Sequence, residues 1–297
     1  MTTRRSFFKQ AGLGLVAVSS SSAVTSLAAD SQSSTISQNP STPDPFRLGI
    51  AGYTFHKFNL EQTLSMVKKI DVHYLCIKDF HLPIKSTEAE IAQFQETCKA
   101  SGVMGYGVGP IYMSTDEQID DAFAYAKRIG TRTIVGVPYQ MDGKKRIASA
   151  EALKRINQQV KAYDICFAIH NHGPDMPELF PTAESAMEMI ADLDERIGLC
   201  LDIGHEFRNG KDPVQSLQTY GKRVYDIHIK NVTAADKSGK GIEMPRGKID
   251  VVAFVRALRK IGYTGVCSLE YEKDMSDPFN GIAESIGYFR GLMDATR

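Results

Sequence analysis

The amino-acid sequence predicts an α/β fold of the closed (β/α)₈ barrel class, preceded by an export segment. Three observations lead there. From Phe46 onward, eight short apolar runs alternate with longer amphipathic stretches. The chain of 297 residues, less a short N-terminal segment, matches the roughly 250 residues that such a barrel needs. Polar side chains able to hold a metal recur where the apolar runs end.

The first run, Arg47-Leu48-Gly49-Ile50-Ala51, precedes a helical stretch near 60–70, with Leu60, Leu64, Val67 and Ile70 at helical spacing. The second, His73 to Ile77, leads to a helix near 87–101. The third, Val103 to Val108, leads to a helix over 116–129 whose Ile119, Phe123, Ala126 and Ile129 share one face. The fourth, Thr133 to Val137, precedes a helix near 148–163. The fifth, Ile165 to Ile169, precedes a helix reaching about Leu193, with Thr182 or Ser185 available as its cap. The sixth, seventh and eighth runs are 197–201, 224–229 and 265–269, and a terminal helix covers roughly 280–294.

Nearly continuous apolar strands in βαβα order imply a parallel sheet covered by helices. Eight such units favour a closed barrel over an open doubly wound sheet. No G-x-G-x-x-G opens a helix, which argues against a dinucleotide-binding version. Gly105-Tyr106-Gly107 lacks the third glycine and reads as a strand feature or bulge.

Residues 1–29 read as an address rather than as fold. Thr3-Arg4-Arg5-Ser6-Phe7-Phe8-Lys9 is followed by an apolar stretch from Ala11 to Val18 and by small residues ending Leu27-Ala28-Ala29. The apolar stretch is too short for stable membrane insertion. The layout resembles a twin-arginine signal, which exports proteins already folded, so the expected location is the periplasm. Residues 30–45 are rich in Ser, Thr, Gln and Pro and read as a flexible linker, leaving 46–297 as the barrel.

Composition sets the outer bounds. The chain is 42% hydrophobic and 24% charged, as a globular domain is, and its 35 basic residues balance 35 acidic ones. With no basic excess to follow a phosphate backbone, nucleic acid is not an expected partner. Cys76, Cys98, Cys166, Cys200 and Cys267 are an odd set, widely spaced and without a C-x-x-C pair. They read as small apolar core residues rather than a disulfide framework.

In a parallel barrel the C-terminal strand ends share one face, and that face carries the chemistry. The first strand ends near Tyr53 and His56, the second with Lys78, Asp79 and His81, and the fifth with His170-Asn171-His172. The sixth ends with Asp202 and His205, the seventh with His228, Lys230 and Asn231, and the eighth with Glu270 and Glu272. His170, Asp202, His228 and Glu270 close four successive strands, and imidazole nitrogen with carboxylate oxygen suits Zn²⁺ or Mn²⁺.

Three segments carry a resemblance: Leu201-Asp202-Ile203-Gly204-His205, Ile227-His228-Ile229-Lys230-Asn231 and Ser268-Leu269-Glu270-Tyr271-Glu272. They resemble the signatures of the xylose-isomerase-like barrel superfamily, and within it the sugar phosphate isomerase/epimerase-like group. The resemblance implies a (β/α)₈ barrel with one divalent ion of the Mn²⁺, Zn²⁺, Mg²⁺ or Co²⁺ type. It places the strand-six Asp on Asp202, the strand-seven His on His228 and the strand-eight Glu on Glu270. Many relatives end strand five with a second glutamate that binds metal and moves protons, whereas this chain has His170. The symmetric two-glutamate arrangement is therefore not reproduced.

The chemistry expected is proton removal beside a polarised carbonyl or hydroxyl of a small sugar-like substrate, giving an enediolate. Glu270, His170 and His172 are the candidate bases. Lys230 and His205 are candidates for shuttling protons, and Lys78, His81, His56 and Glu272 for holding substrate or ligands. Reprotonation of the enediolate gives isomerisation or epimerisation. Loss of a neighbouring substituent gives elimination, as in the related inosose dehydratases and keto-glycoside lyases. Export and the lack of an evident phosphate loop favour a free, oxidised or glycosidic sugar over a phosphosugar. The superfamily also contains metal-dependent endonucleases acting at abasic sites, which neutral charge argues against, and a non-catalytic sugar-binding barrel is a third possibility. The long connection after strand seven, through Lys237 to Gly241, reads as a lid or as a surface loop.

Overall fold

The structure, a computed structural model, describes residues 44–297. The expected export signal and the linker up to residue 43 lie outside the described residues.

The barrel strands are β1 (Arg47–Ala51), β2 (Tyr74–Ile77), β3 (Met104–Met113), β4 (Thr133–Asp142), β5 (Cys166–His170), β6 (Ile197–Asp202), β7 (Val224–Ile229) and β8 (Val266–Leu269). Every neighbouring pair in the ring is parallel, and β1 closes it by pairing with β8 from Arg47↔Val266 to Ile50↔Leu269. The helices are α1 (Leu60–Lys69), α2 (Glu88–Ala100), α3 (Asp116–Ile129), α4 (Ala150–Tyr163), α5 (Ala183–Met189), α6 (Ile203–Arg208), α7 (Pro213–Tyr220), α8 (Val251–Ile261) and α9 (Phe279–Ala295). Among the described residues no helix is long and apolar enough to cross a membrane.

Local chemistry explains the boundaries. Asn59 with Gln62 and Thr87 with Glu90 form capping boxes that satisfy the first amides of α1 and α2. Gly130 ends α3 and Gly262 ends α8 in the left-handed conformation that favours glycine. At the N-terminal edge, Asp44 is already tied to the barrel through the Arg259 guanidinium, 2.6 Å from Nε.

Several elements differ from the sequence-based reading. Strands β3 and β4 run to Met113 and Asp142, well past the expected ends at Val108 and Val137. Gly109-Pro110 and Pro138 look like strand terminators, but here the register shifts between Val108 and Ile111 and pairing resumes beyond. The extension of β4 pairs antiparallel with a hairpin arm, Lys145–Ala148, that rises over the mouth. The short helices α6 and α7 were not anticipated, nor was α8. The connection after β7 forms a small hairpin, Asn231–Val232 with Gly241–Ile242, before entering α8.

Two apolar clusters separate cleanly. The larger fills the layer between strands and helices, and a small one of Cys76, Val135, Ala168 and Cys200 fills the barrel interior. In the outer layer, the Phe167 ring stacks on Phe123 at 6.2 Å and lies across Gly136. A Cβ at Gly136 would come 2.2 Å from that ring. Gly136→Ala is therefore expected to cost about 1–3 kcal/mol in denaturant unfolding. The cost should shrink when Phe167→Leu removes part of the ring; strictly additive costs would show that the ring is not the obstacle.

Candidate metal centre

Alternation along the strands decides what faces the axis. His170 ends β5, Asp202 ends β6 opposite His228 on β7, and Glu270 directly follows β8. All four side chains are buried, and their potential ligand atoms lie within 4.8 Å of one another. His170 Nε2 is 3.5 Å from Asp202 Oδ2 and 3.9 Å from Glu270 Oε2, and His228 Nδ1 is 3.5 Å from Glu270 Oε1.

His170 Nε2, Asp202 Oδ2 and His228 Nδ1 are buried with no hydrogen-bond partner. Each such atom costs about 1–3 kcal/mol if nothing satisfies it. Their convergence on one point, with two imidazoles and two carboxylates, fits a divalent ion. Burial would push the Glu270 carboxyl up, but the charges of Lys230 and His228 win and hold it well below its ordinary range. It is therefore an acceptor only.

Two residues back along the same strand faces stand Ala168, Cys200, Asp226 and Ser268. Asp226 is buried beneath His228, with Oδ2 3.6 Å from His228 Nε2. It accepts a hydrogen bond from the Tyr106 hydroxyl at 2.9 Å, and that hydroxyl is 2.7 Å from Ser268 Oγ. Burial pushes the Asp226 carboxyl up to about 6. Beside the centre, Asn171 exchanges two hydrogen bonds with the Asp202 backbone, at 2.8 and 3.1 Å, and so couples β5 to β6.

The walls are polar. Lys230 Nζ donates to Glu270 Oε2 at 2.6 Å and to Glu272 Oε2 at 2.7 Å, with His205 Nε2 3.5 Å away. It also lies 3.0 Å from Asp202 Oδ2, close enough for an ion pair but not aligned for a hydrogen bond. The Tyr112 hydroxyl is 2.6 Å from His172 Nε2, and the Arg146 guanidinium of the hairpin arm covers the Tyr112 ring at 5.2 Å. Burial pushes both His172 and His205 down to about 3, so both are neutral.

Known proteins share this fold. A family model described as xylose isomerase-like TIM barrel matches residues 84–292. The chain belongs to that family. Among curated relatives, the rhizopine catabolism protein MocC of Rhizobium meliloti is 26% identical over 160 residues, 49% of this chain and 48% of MocC, so the match spans about half of each. Inosose isomerase of Bacillus velezensis is 22% identical over 242 residues, covering 73% of this chain and 85% of the relative. The crystal structure of the IOLI protein with a bound zinc atom shares the fold, with a TM-score of 0.62 at 19% identity, over 84% of this chain and 98% of that one.

The four ligands expected from the sequence, His170, Asp202, His228 and Glu270, come together in the structure, with His172, His205, Lys230 and Glu272 around them. Three other candidates make different contacts. Lys78 Nζ pairs with Asp79 at 2.6 Å, His81 Nε2 sits between Thr63 Oγ1 and the Phe58 carbonyl at 3.1 and 3.2 Å, and His56 stacks on Tyr53. Glu272, expected to hold substrate or a ligand, accepts a hydrogen bond from Lys230 at 2.7 Å. Sequence reasoning missed Asp226 and Tyr112. Alternation from His228 would have found Asp226, whereas Tyr112 lies beyond the apparent end of β3.

Elemental analysis of protein loaded with Mn²⁺ or Zn²⁺ tests the assignment. One ion per chain is expected, lost in Asp202→Ala and in His228→Ala; full retention in both would sink it. Asp226→Asn, which leaves every ligand in place, is expected to weaken the metal about 10–100-fold.

Proposed function

We propose that this chain is an exported, divalent-metal-dependent isomerase or epimerase that acts on a keto-sugar through an enediolate. The observation that carries this reading is the four-residue ligand cluster, in which His170, Asp202 and His228 hold unpartnered ligand atoms, with neutral histidines and a carboxylate on its walls. Inosose isomerase, a relative by sequence, has a polyol ketone in its name, which supports a substrate of that class.

When bound, a divalent ion supplies Lewis-acid polarisation to a substrate carbonyl or hydroxyl; Mn²⁺ and Zn²⁺ suit the donor set best, and Mg²⁺ or Co²⁺ is compatible. The rest is done by the chain. Glu270, held as a carboxylate, is one proton acceptor. His172, neutral and 2.6 Å from the Tyr112 hydroxyl, is a second proton carrier, three strands away around the ring. Lys230 and His205 line the same pocket, where an ammonium can donate to substrate oxygens. Proton removal by one carrier and return by the other moves or inverts a C–H centre. The N-terminal segment supports export, and with it an unphosphorylated sugar.

One observation favours elimination as a second reading. With His170 where relatives carry glutamate, the two carriers differ in kind: a carboxylate on β8 and a histidine–tyrosine pair on β5 and β3. Such asymmetry suits taking a proton from carbon and giving one to a departing oxygen, as in a lyase acting on keto-glycosides or inosose-like substrates.

Incubation with neutral keto-sugars and keto-glycosides in deuterated water tests both readings. Isomerisation or epimerisation predicts solvent deuterium at the carbon that loses and regains a proton, whereas elimination predicts an unsaturated product that has lost a substituent and that proton. His172→Gln and Tyr112→Phe are expected to lower kcat, by about 10²–10⁴-fold for the histidine, with metal content unchanged. Turnover of phosphosugars alone, with no neutral substrate converted, would overturn the substrate class.

A further inference from the structure

We propose that the Lys230 ammonium is a built-in second cation: it fills the position that a second divalent ion would take, and so fixes the centre at one ion. The inference rests on the metal centre argued above. A second cluster, His205, Glu270 and Glu272, brings its potential ligand atoms within 4.8 Å of one another and shares Glu270 with the first. Glu270 joins the two clusters, with Oε2 shared between His170 Nε2 of the first, at 3.9 Å, and the Lys230 side. Oε1 faces His228 at 3.5 Å, and Oε2 faces Lys230 at 2.6 Å. A carboxylate that borders both positions is how two-metal sites hold ions about 3.5–4 Å apart. Here Nζ stands against Glu270, Glu272 and His205 of the second cluster, and borders the first at Asp202 Oδ2, 3.0 Å away.

The fold aims it there. Lys230 is two residues beyond His228, so alternation turns it to the same face. Its stem runs over Gly204 at the start of α6, where a Cβ would come 2.2 Å from Lys230 Cγ. A glycine at this position therefore leaves the passage along which the lysine reaches the carboxylates.

Counting the groups at the rim, and leaving aside Asp226 one layer below, charge leads to the same count. Asp202, Glu270 and Glu272 bring three negative charges, and Lys230 brings one positive. The remaining two are matched by one divalent ion. A second would need the ammonium gone, both for space and for charge.

The test uses Mn²⁺ as the probe on the full chain, with stoichiometry from equilibrium dialysis and the state of the ions from electron paramagnetic resonance. Wild type is expected to bind one Mn²⁺ per chain with the spectrum of an isolated ion. Lys230→Met is expected to bind two, with the spectrum of a spin-coupled pair. Lys230→Arg, which keeps the cation, should return to one, as should Lys230→Met combined with Glu272→Gln, which removes a ligand of the second position. Circular dichroism confirms folding, and Lys230→Gln carries the same test if the methionine variant does not fold. A wild type that binds none defeats the metal centre itself. A wild type that binds two, or neutral variants that still bind one isolated ion, overturn this inference and leave the centre standing.

Discussion

Three carboxylates drawn into one largely buried volume are the constraint around which the mouth of this barrel is built. Asp202 and Glu270 are removed from water, and Glu272 joins them at the edge. Two like charges about 4 Å apart repel by roughly 4 kcal/mol even at an effective dielectric constant of 20. Desolvation of each adds several kcal/mol more unless a counter-charge is present. Lys230 answers part of that demand and is itself buried only because three carboxylates surround it. Neither side of the arrangement is stable alone, which ties the ends of β6, β7 and β8 into one electrostatic unit.

The layer beneath serves the same unit. Asp226 sits under the His228 ring, and it accepts hydrogen bonds from the Tyr106 hydroxyl and the Cys200 thiol. Its Oδ2 lies 3.6 Å from His228 Nε2, so it acts on the ring through charge rather than through a hydrogen bond. To the side, Glu206 is also buried, yet it is satisfied by Ser216 Oγ at 2.6 Å and by the Ala183 amide at 2.9 Å. The interior thus separates two kinds of acid. Those with neutral donors hold the scaffold together, and those with cationic partners face the pocket.

Much of this was legible in the sequence. Four ligands ending four apolar runs are recognisable because a parallel barrel converts sequence spacing of about one βα unit into spatial adjacency. The order of strands, α1 to α4 and the terminal helix followed from hydrophobic period, and Thr182 was readable as the cap of α5. What escaped has a common cause. Tyr112 and Arg146 lie on extensions of β3 and β4 that only tertiary pairing stabilises, beyond prolines that locally argue against a strand. Lys230 was visible as a strand-end residue, but its place between Glu270 and Glu272 depends on the shared rim of β7 and β8. His81 had the sequence context of a site residue; Thr63 and the Phe58 carbonyl, which engage it, are contributed by distant turns of chain.

His170 gives the centre its particular character. A glutamate at the end of β5 would add a fourth carboxylate to the same volume, and one ammonium with one divalent ion would leave it a charge short. A neutral imidazole keeps a ligand at that corner and removes the extra charge. The same substitution makes the proton carriers unequal, because Glu270 alone remains as carboxylate while His172, kept neutral by burial, works beside the Tyr112 hydroxyl. Charge balance and asymmetry of the proton carriers are thus two consequences of one residue, and Lys230 is the element that makes the balance close.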